Sequence, residues 1–295
     1  MKAMTALIRR EFLEHRGAFL YAPATLLALL TLFLSLGMIF GHAPRVMTTE
    51  HDLTALVLIQ IGFGGIAALW SSYLLIVLYF YFADAFSADT RNNSMLFWKS
   101  MPQSDLKILT SKALAAVTIF PALILGFALI TMVLGYLLSF PLSAKLPFIP
   151  IANPIDVLAT MLVTGISAAA LFILTILWYA PFLALVAGLS TLVKRWAIPA
   201  ALLLVGALVL AEGILTYGNE DGFHPIRTYV AYRAENFAEG MDPLPLLTSG
   251  GYFGPFQVLW ESVIRIDWLN MGIGILFAIG VVYAASEYRR RRIDG

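Results

Sequence analysis

The chain has 295 residues, of which 60% are hydrophobic and only 13% charged, and a mean hydropathy of +0.84. Soluble domains are roughly a quarter charged and under half apolar, so an ordinary soluble enzyme, a disordered tail and a fibrous protein are excluded. A net charge of +1 supplies no field to recruit nucleic acid or an acidic substrate, and zero cysteines remove disulfides, thiolate chemistry and Cys-based metal sites.

These values describe an all-α polytopic membrane protein. Residues 1–17 open it with an amphipathic helix over 4–16. Met4, Leu7, Ile8 and Phe12 share one face, and Arg9, Arg10, Glu11, Glu14 and Arg16 take the rest. Such a helix lies at the headgroup boundary with its arginines toward anionic lipid, or adds contact with a cytoplasmic partner. The first span follows at about 18–40. Its 23-residue uncharged run exceeds the 7–15 residues of a signal-peptide core, and no clear cleavage site follows.

Uncharged stretches place further spans at about 55–83, 113–138, 157–189, 196–217 and 268–286, each near the length of about 20 residues that a bilayer requires. Gly62, Gly64 and Gly65 in the second span, with Gly126 and Gly135 in the third, permit close helix approach or dimer packing. The fourth stretch runs 37 residues without a charge and contains Pro181, so it is one kinked helix or a hairpin. Orientation favours one helix: with six spans, segments 1–17, 84–112, 194–195 and 287–295 hold 14 of the 19 Lys and Arg residues. The positive-inside rule then puts both termini in the cytoplasm, across the cell's inner (plasma) membrane.

The cytoplasmic loop 84–112 is the most informative segment. Ser104 before Asp105 is a helix-start signal, and Pro102 ends whatever precedes it. Between them and Asp89 the sequence suggests a short helix from Asn93 to Lys99 with Met95, Leu96, Phe97 and Trp98 consecutive. Each such side chain gains about 1.5–3 kcal/mol on burial, so the four dip into the interface or fill a groove on another protein. Asp89, Arg91 and Lys99 around them suit a protein rim. The turn Lys194–Arg195 is too short for a domain.

The extracytoplasmic loop 218–267 carries seven acids against three arginines. Its apolar stretch 252–266 is too short and broken to span, and reads as a re-entrant or interfacial helix capping an outward exit. Glu212 is the one ionisable residue inside a span, a candidate for lining a substrate path together with Gly62 and Gly65. No phosphate-binding loop and no H-E-x-x-H occurs, and all four histidines lie outside the spans. Gly165, Ile166, Ser167 and Ala168 mimic a serine-nucleophile motif, but no intramembrane His is present to take the proton. No catalytic residue, cofactor site or metal site is expected.

This pattern resembles the membrane permease of ABC-2-type exporters. The likeness rests on Asp89, Arg91, Asn93 and Ser94, then the apolar run to Trp98, then Lys99, Pro102, Ser104, Asp105 and Lys112. It looks like that family's coupling segment. The resemblance implies a homodimer or heterodimer of permeases in the lipid bilayer, with separate ATP-binding subunits carrying ATP and Mg. Arg91 and Asn93 to Lys99 would then enter a groove of the ATPase, with Arg9 and Arg10 beside it and Lys194 and Arg195 as a minor contact. An ATP-independent secondary carrier, or a scaffold or sensor without transport, are the alternative classes.

Overall fold

The computed structural model describes residues 2–40, 54–91, 104–145, 151–217, 224–235, 237 and 240–292. Among them every regular element is helical. The expected coupling helix, Asn93 to Lys99, lies outside the described residues, and Arg91 ends a described helix without a described side chain.

Five helical runs are long and apolar enough to cross a bilayer, and the protein is membrane-embedded. The first joins α1 (Lys2–Arg16) to α2 (Ala22–Phe40) through a π-turn at Gly17–Tyr21. A π-turn displaces a carbonyl from its usual partner, and Tyr73 answers by donating its hydroxyl to Ala18 O at 2.7 Å. The turn also swings Phe19 inward to stack on Phe120, centroids 3.7 Å apart. Contrary to the amphipathic reading, Glu11 is not on the solvent face of α1. It shares the inward face with Leu7 one turn earlier, and is 2% exposed.

The second run, α3 (Ala55–Ala85), starts at Thr54, whose side chain accepts from Val57 N. Phe63, Trp70, Leu74, Leu78, Tyr81 and Ala85 recur at three- and four-residue spacing along its buried face. A short helix, α4 (Ala88–Arg91), follows. The third run is α5 (Asp105–Val117) and α6 (Ile119–Lys145), with Ser104 capping α5 by accepting from Lys107 N. The helix breaks at Thr118 because Pro121 has no N–H for the carbonyl of Val117. Trp70 Nε1 donates to Thr131 Oγ1 at 3.0 Å and locks α3 to α6.

The fourth run is centred on α7 (Pro154–Val193), one helix of 40 residues that Pro181 does not interrupt. Asn153 caps it, Pro154 occupies its first turn and Asp156 faces its dipole, three start signals in a row. It ends where Lys194 takes φ +52°, begins the 3₁₀ turn Lys194–Trp196 and leads into α8 (Ala197–Leu215). Beyond α8 come α9 (Pro225–Ala234), α10 (Leu244–Ser249), the turn Gly251–Phe253 and α11 (Gly254–Arg265). The fifth run is α12 (Trp268–Arg292).

Helix α7 is the axis of the molecule, and each half has different neighbours. Gly274 of α12 lies on Pro181, and Gly188 lies on Val281, the same seven-residue step on both helices, so α12 runs parallel to the C-terminal half of α7. A Cβ on Gly274 would stand 2.9 Å from Pro181 and 2.5 Å from the Arg233 guanidinium, so only glycine permits this contact. The N-terminal half meets the Gly251–Phe253 turn, where Tyr252 donates to Asp156 at 2.8 Å, and faces α11 across a pocket, while α3 continues along α7 to Val186. The two ends of the bundle therefore differ, and each holds one site.

Candidate functional site

At the end where α3 meets α4, four side chains from four helices form a buried charge cluster. Glu11 of α1, Asp89 of α4, Lys112 of α5 and Arg289 of α12 are each at most 3% exposed. Lys112 Nζ lies 3.0 Å from Glu11 Oε1 and 3.9 Å from Asp89 Oδ2. Arg289 lies 3.4 Å from Asp89 Oδ2 and 3.6 Å from Asp105 Oδ1, and donates to Phe86 O at 3.4 Å. Arg10 reaches Asp89 Oδ1 at 3.7 Å and Glu14 at 2.6 Å. Tyr81 donates to Glu11 Oε2 at 3.1 Å. Two buried anions thus meet two buried cations, which is how charge survives away from water.

This cluster corrects the expectation for Asp89, which is not a rim residue around an apolar knuckle but an anion inside the fold. It also assigns Glu11, Lys112 and Arg289 roles that hydropathy and charge counting alone did not provide. Glu11, Glu14 and His15 bring potential ligand atoms within 4.8 Å of one another. Glu11 is already held by Lys112 and Tyr81, and Glu14 by Arg10, so the group belongs to the charge cluster. Arg9 is exposed on α1, and Lys194 and Arg195 are exposed at the α7–α8 turn.

At the opposite half of the bundle, α3, α7, Phe237 and residues from 241–262 line a half-open cavity of about 570 Å³. Gln60, Gly64, Gly65 and Ser71 contribute from α3, and Thr164, Ser167, Phe172 and Thr175 from α7. Met241, Leu247 and Val258 close it from the remaining side. Among the described residues its wall holds no Asp, Glu, Lys, Arg or His. Gln60 Nε2 donates to Gly251 O at 2.7 Å, while its Oε1 and the hydroxyl oxygens of Thr164 and Ser167 are buried without a partner among the described residues. Gly254 allows this closure, since a Cβ there would meet Leu247 Cα at 2.9 Å and Gln60 Oε1 at 3.2 Å.

Of the residues proposed from sequence for a substrate path, the structure brings only Gly65 into this wall. Gly62 is exposed on α3 away from it. Glu212 serves another purpose: its carboxylate accepts from Ile226 N and Arg227 N, both at 2.7 Å, and so caps the N-terminus of α9. Helix α9 is further docked by Trp178 Nε1 donating to Glu235 O at 3.0 Å and Tyr179 to Ala234 O at 3.1 Å. Its Arg233 is fully buried, 4.3 Å over the Trp178 ring, with no hydrogen-bond acceptor among the described residues. Burial lowers its pKa from the ordinary arginine value, opposed by Tyr229, Tyr232 and Asp267 nearby. The cation–π contact offsets part of the desolvation.

No family model, no curated protein and no solved structure matches the chain.

Proposed function

We propose that the chain is the membrane-spanning permease subunit of an ATP-driven exporter, dimeric, with ATP-binding subunits docked on its cytoplasmic face. The supporting observation is how segment 92–103 is rooted. In sequence it is flanked by Asp89 and Asp105, and Arg289 grips both acids. Asp89 is tied in turn to Lys112 and Arg10. A push on the segment is thereby delivered to α1, α4, α5 and α12 together, which is what a coupling element for a two-state transporter requires. The cavity supplies the other requirement, a place to hold cargo at membrane depth.

The same cluster supports a reading of six spans. The run Pro154–Leu215 has 62 residues, about 93 Å of helix against a bilayer core of about 30 Å, and the turn at Lys194 divides it into two crossings. An even number of crossings agrees with Glu11 near the N-terminus and Arg289 near the C-terminus sharing one cluster. The lysine and arginine bias makes that end cytoplasmic.

The test is purification in mild detergent with the neighbouring ATPase co-expressed. The wild-type chain co-elutes with the ATPase and alters its hydrolysis rate, whereas Trp98→Asp inserts normally but loses the coupling. Transport driven by an ion gradient with no ATPase present, or a Trp98→Asp variant that stimulates hydrolysis normally, overturns the proposal.

A further inference from the structure

We propose that the cavity between α3, α7 and α11 binds an uncharged amphiphile: an apolar body carrying one or two hydroxyl or amide groups. This rests on the permease reading for its meaning, because it names the class of cargo, but the binding itself does not require an ATPase. Three observations carry it. The volume of about 570 Å³ falls within the range that accommodates a small organic molecule. Among the described residues no ionisable side chain lines the wall, so nothing there compensates a charged guest for its desolvation. Yet the wall is not purely apolar, because Gln60, Thr164 and Ser167 belong to it and their Oε1, Oγ1 and Oγ are buried with no partner among the described residues.

Unpartnered buried polar atoms are costly unless something satisfies them. Gln60 Oε1 can only accept, and its amide nitrogen is committed to Gly251 O, so the guest must bring a donor. The two hydroxyls can donate or accept, which suits a guest with both functions on one group. A hydroxyl or a primary amide meets that demand. A carboxylate brings no donor, and a quaternary ammonium brings neither.

The test uses a photoactivatable monoacylglycerol on the purified full chain in nanodiscs. Competitors are monoolein, oleate and an oleyl trimethylammonium salt, which share the apolar body and differ in charge. Cross-links are expected on α3 and α7 peptides within 60–71 and 164–175. Monoolein should compete, and the two charged analogues should be weaker by about tenfold or more.

Gly65→Leu projects into the cavity from a position where an added Cβ meets nothing within 4 Å, and should abolish labelling without unfolding the protein. Gly62→Leu is its control, equally unobstructed but outside the wall, and should leave labelling unchanged. Thr164→Val combined with Ser167→Ala keeps the shape and should weaken monoolein by about tenfold while sparing an octadecene probe.

A neutral lipid extracted from the purified protein would identify the membrane as the source. Protein that is purified free of lipid and takes up the probe would identify a dissolved cargo. Labelling that survives Gly65→Leu, or oleate competing as well as monoolein, overturns the inference. An intact ATPase response beside failed labelling sinks this inference alone. Cavity labelling without any ATPase coupling sinks the exporter reading alone.

Discussion

Replacing Lys112 by Met tests the charge cluster directly. Lys112 and Glu11 are 3.0 Å apart, with side chains 1% and 2% exposed. At an effective dielectric of about 20 their gross attraction is about 5 kcal/mol, most of it cancelled by desolvation of the two ions. Removing one ion forfeits the attraction and leaves the other buried, which costs about 3–5 kcal/mol. Lys112→Met leaves Glu11, among the described residues, with the Tyr81 hydroxyl and His15 nearby, and takes one cation from Asp89. With about 2–4 °C per kcal/mol for a chain of this size, the unfolding temperature should fall by roughly 6–20 °C.

Glu11→Gln should cost a similar amount, and the double variant Glu11→Gln with Lys112→Met should cost clearly less than the sum, a coupling of about 2 kcal/mol or more. The assay is thermal unfolding of nanodisc-embedded protein, followed by near-ultraviolet circular dichroism. Two single variants that each lose under about 1 kcal/mol, or that add, would refute the reasoning, because they would place the pair in water.

The remaining expectations concern the segment between α8 and α12. Glu212→Gln weakens the two amide contacts that start α9, so it should lower stability by about 1–3 kcal/mol and increase protease access to 218–235. Arg233→Met removes a buried cation that has no hydrogen-bond acceptor, and should leave stability unchanged or raise it, while Trp178→Leu should lower it by about 2–4 kcal/mol, both read as unfolding temperature. Asp267 accepts from the backbone N–H and side chain of Asn270, which holds its pKa below the ordinary carboxylate value. Its contribution is therefore full above about pH 4 and lost as pH falls through the lower folded value. Asp267→Ala should be less stable than wild type at pH 7, and the gap should close in acid. A gap that widens in acid would contradict the assignment.

Membrane-embedded helices were readable because hydropathy over 20 residues needs no tertiary information, and Ser104 marks a helix start by local chemistry alone. Pro181 left the fourth stretch ambiguous, since a proline permits either a kink or a break, and packing on α12 at Gly274 decides for one helix. The cavity was not readable. Its wall draws on residues more than a hundred positions apart, and Thr164, Ser167 and Gln60 carry no signal until α3 and α7 are set side by side.

Glycines were only partly informative within one chain. A Cβ at Gly62, Gly64 or Gly126 would meet nothing within 4 Å, which leaves dimer packing open for them, and close approaches within the chain include Gly165, Gly188, Gly250, Gly254 and Gly274. Glu11 had a missed cue: it stands one turn from Leu7, so an apolar face with a single acid on it asks for a buried cation elsewhere. Lys112 and Arg289 counted toward topology, and nothing in a charge tally says that two of those cations turn inward.

The most direct measurement exploits the absence of cysteine from the chain. Trp98→Cys gives one thiol, to be labelled with a membrane-impermeant maleimide in intact cells and in inside-out vesicles, with and without the co-expressed ATPase. The account expects no labelling in intact cells, ready labelling in inside-out vesicles, and protection when the ATPase is bound. Labelling in intact cells, or equal labelling with and without the ATPase, would contradict a cytoplasmic coupling segment seated in a separate motor.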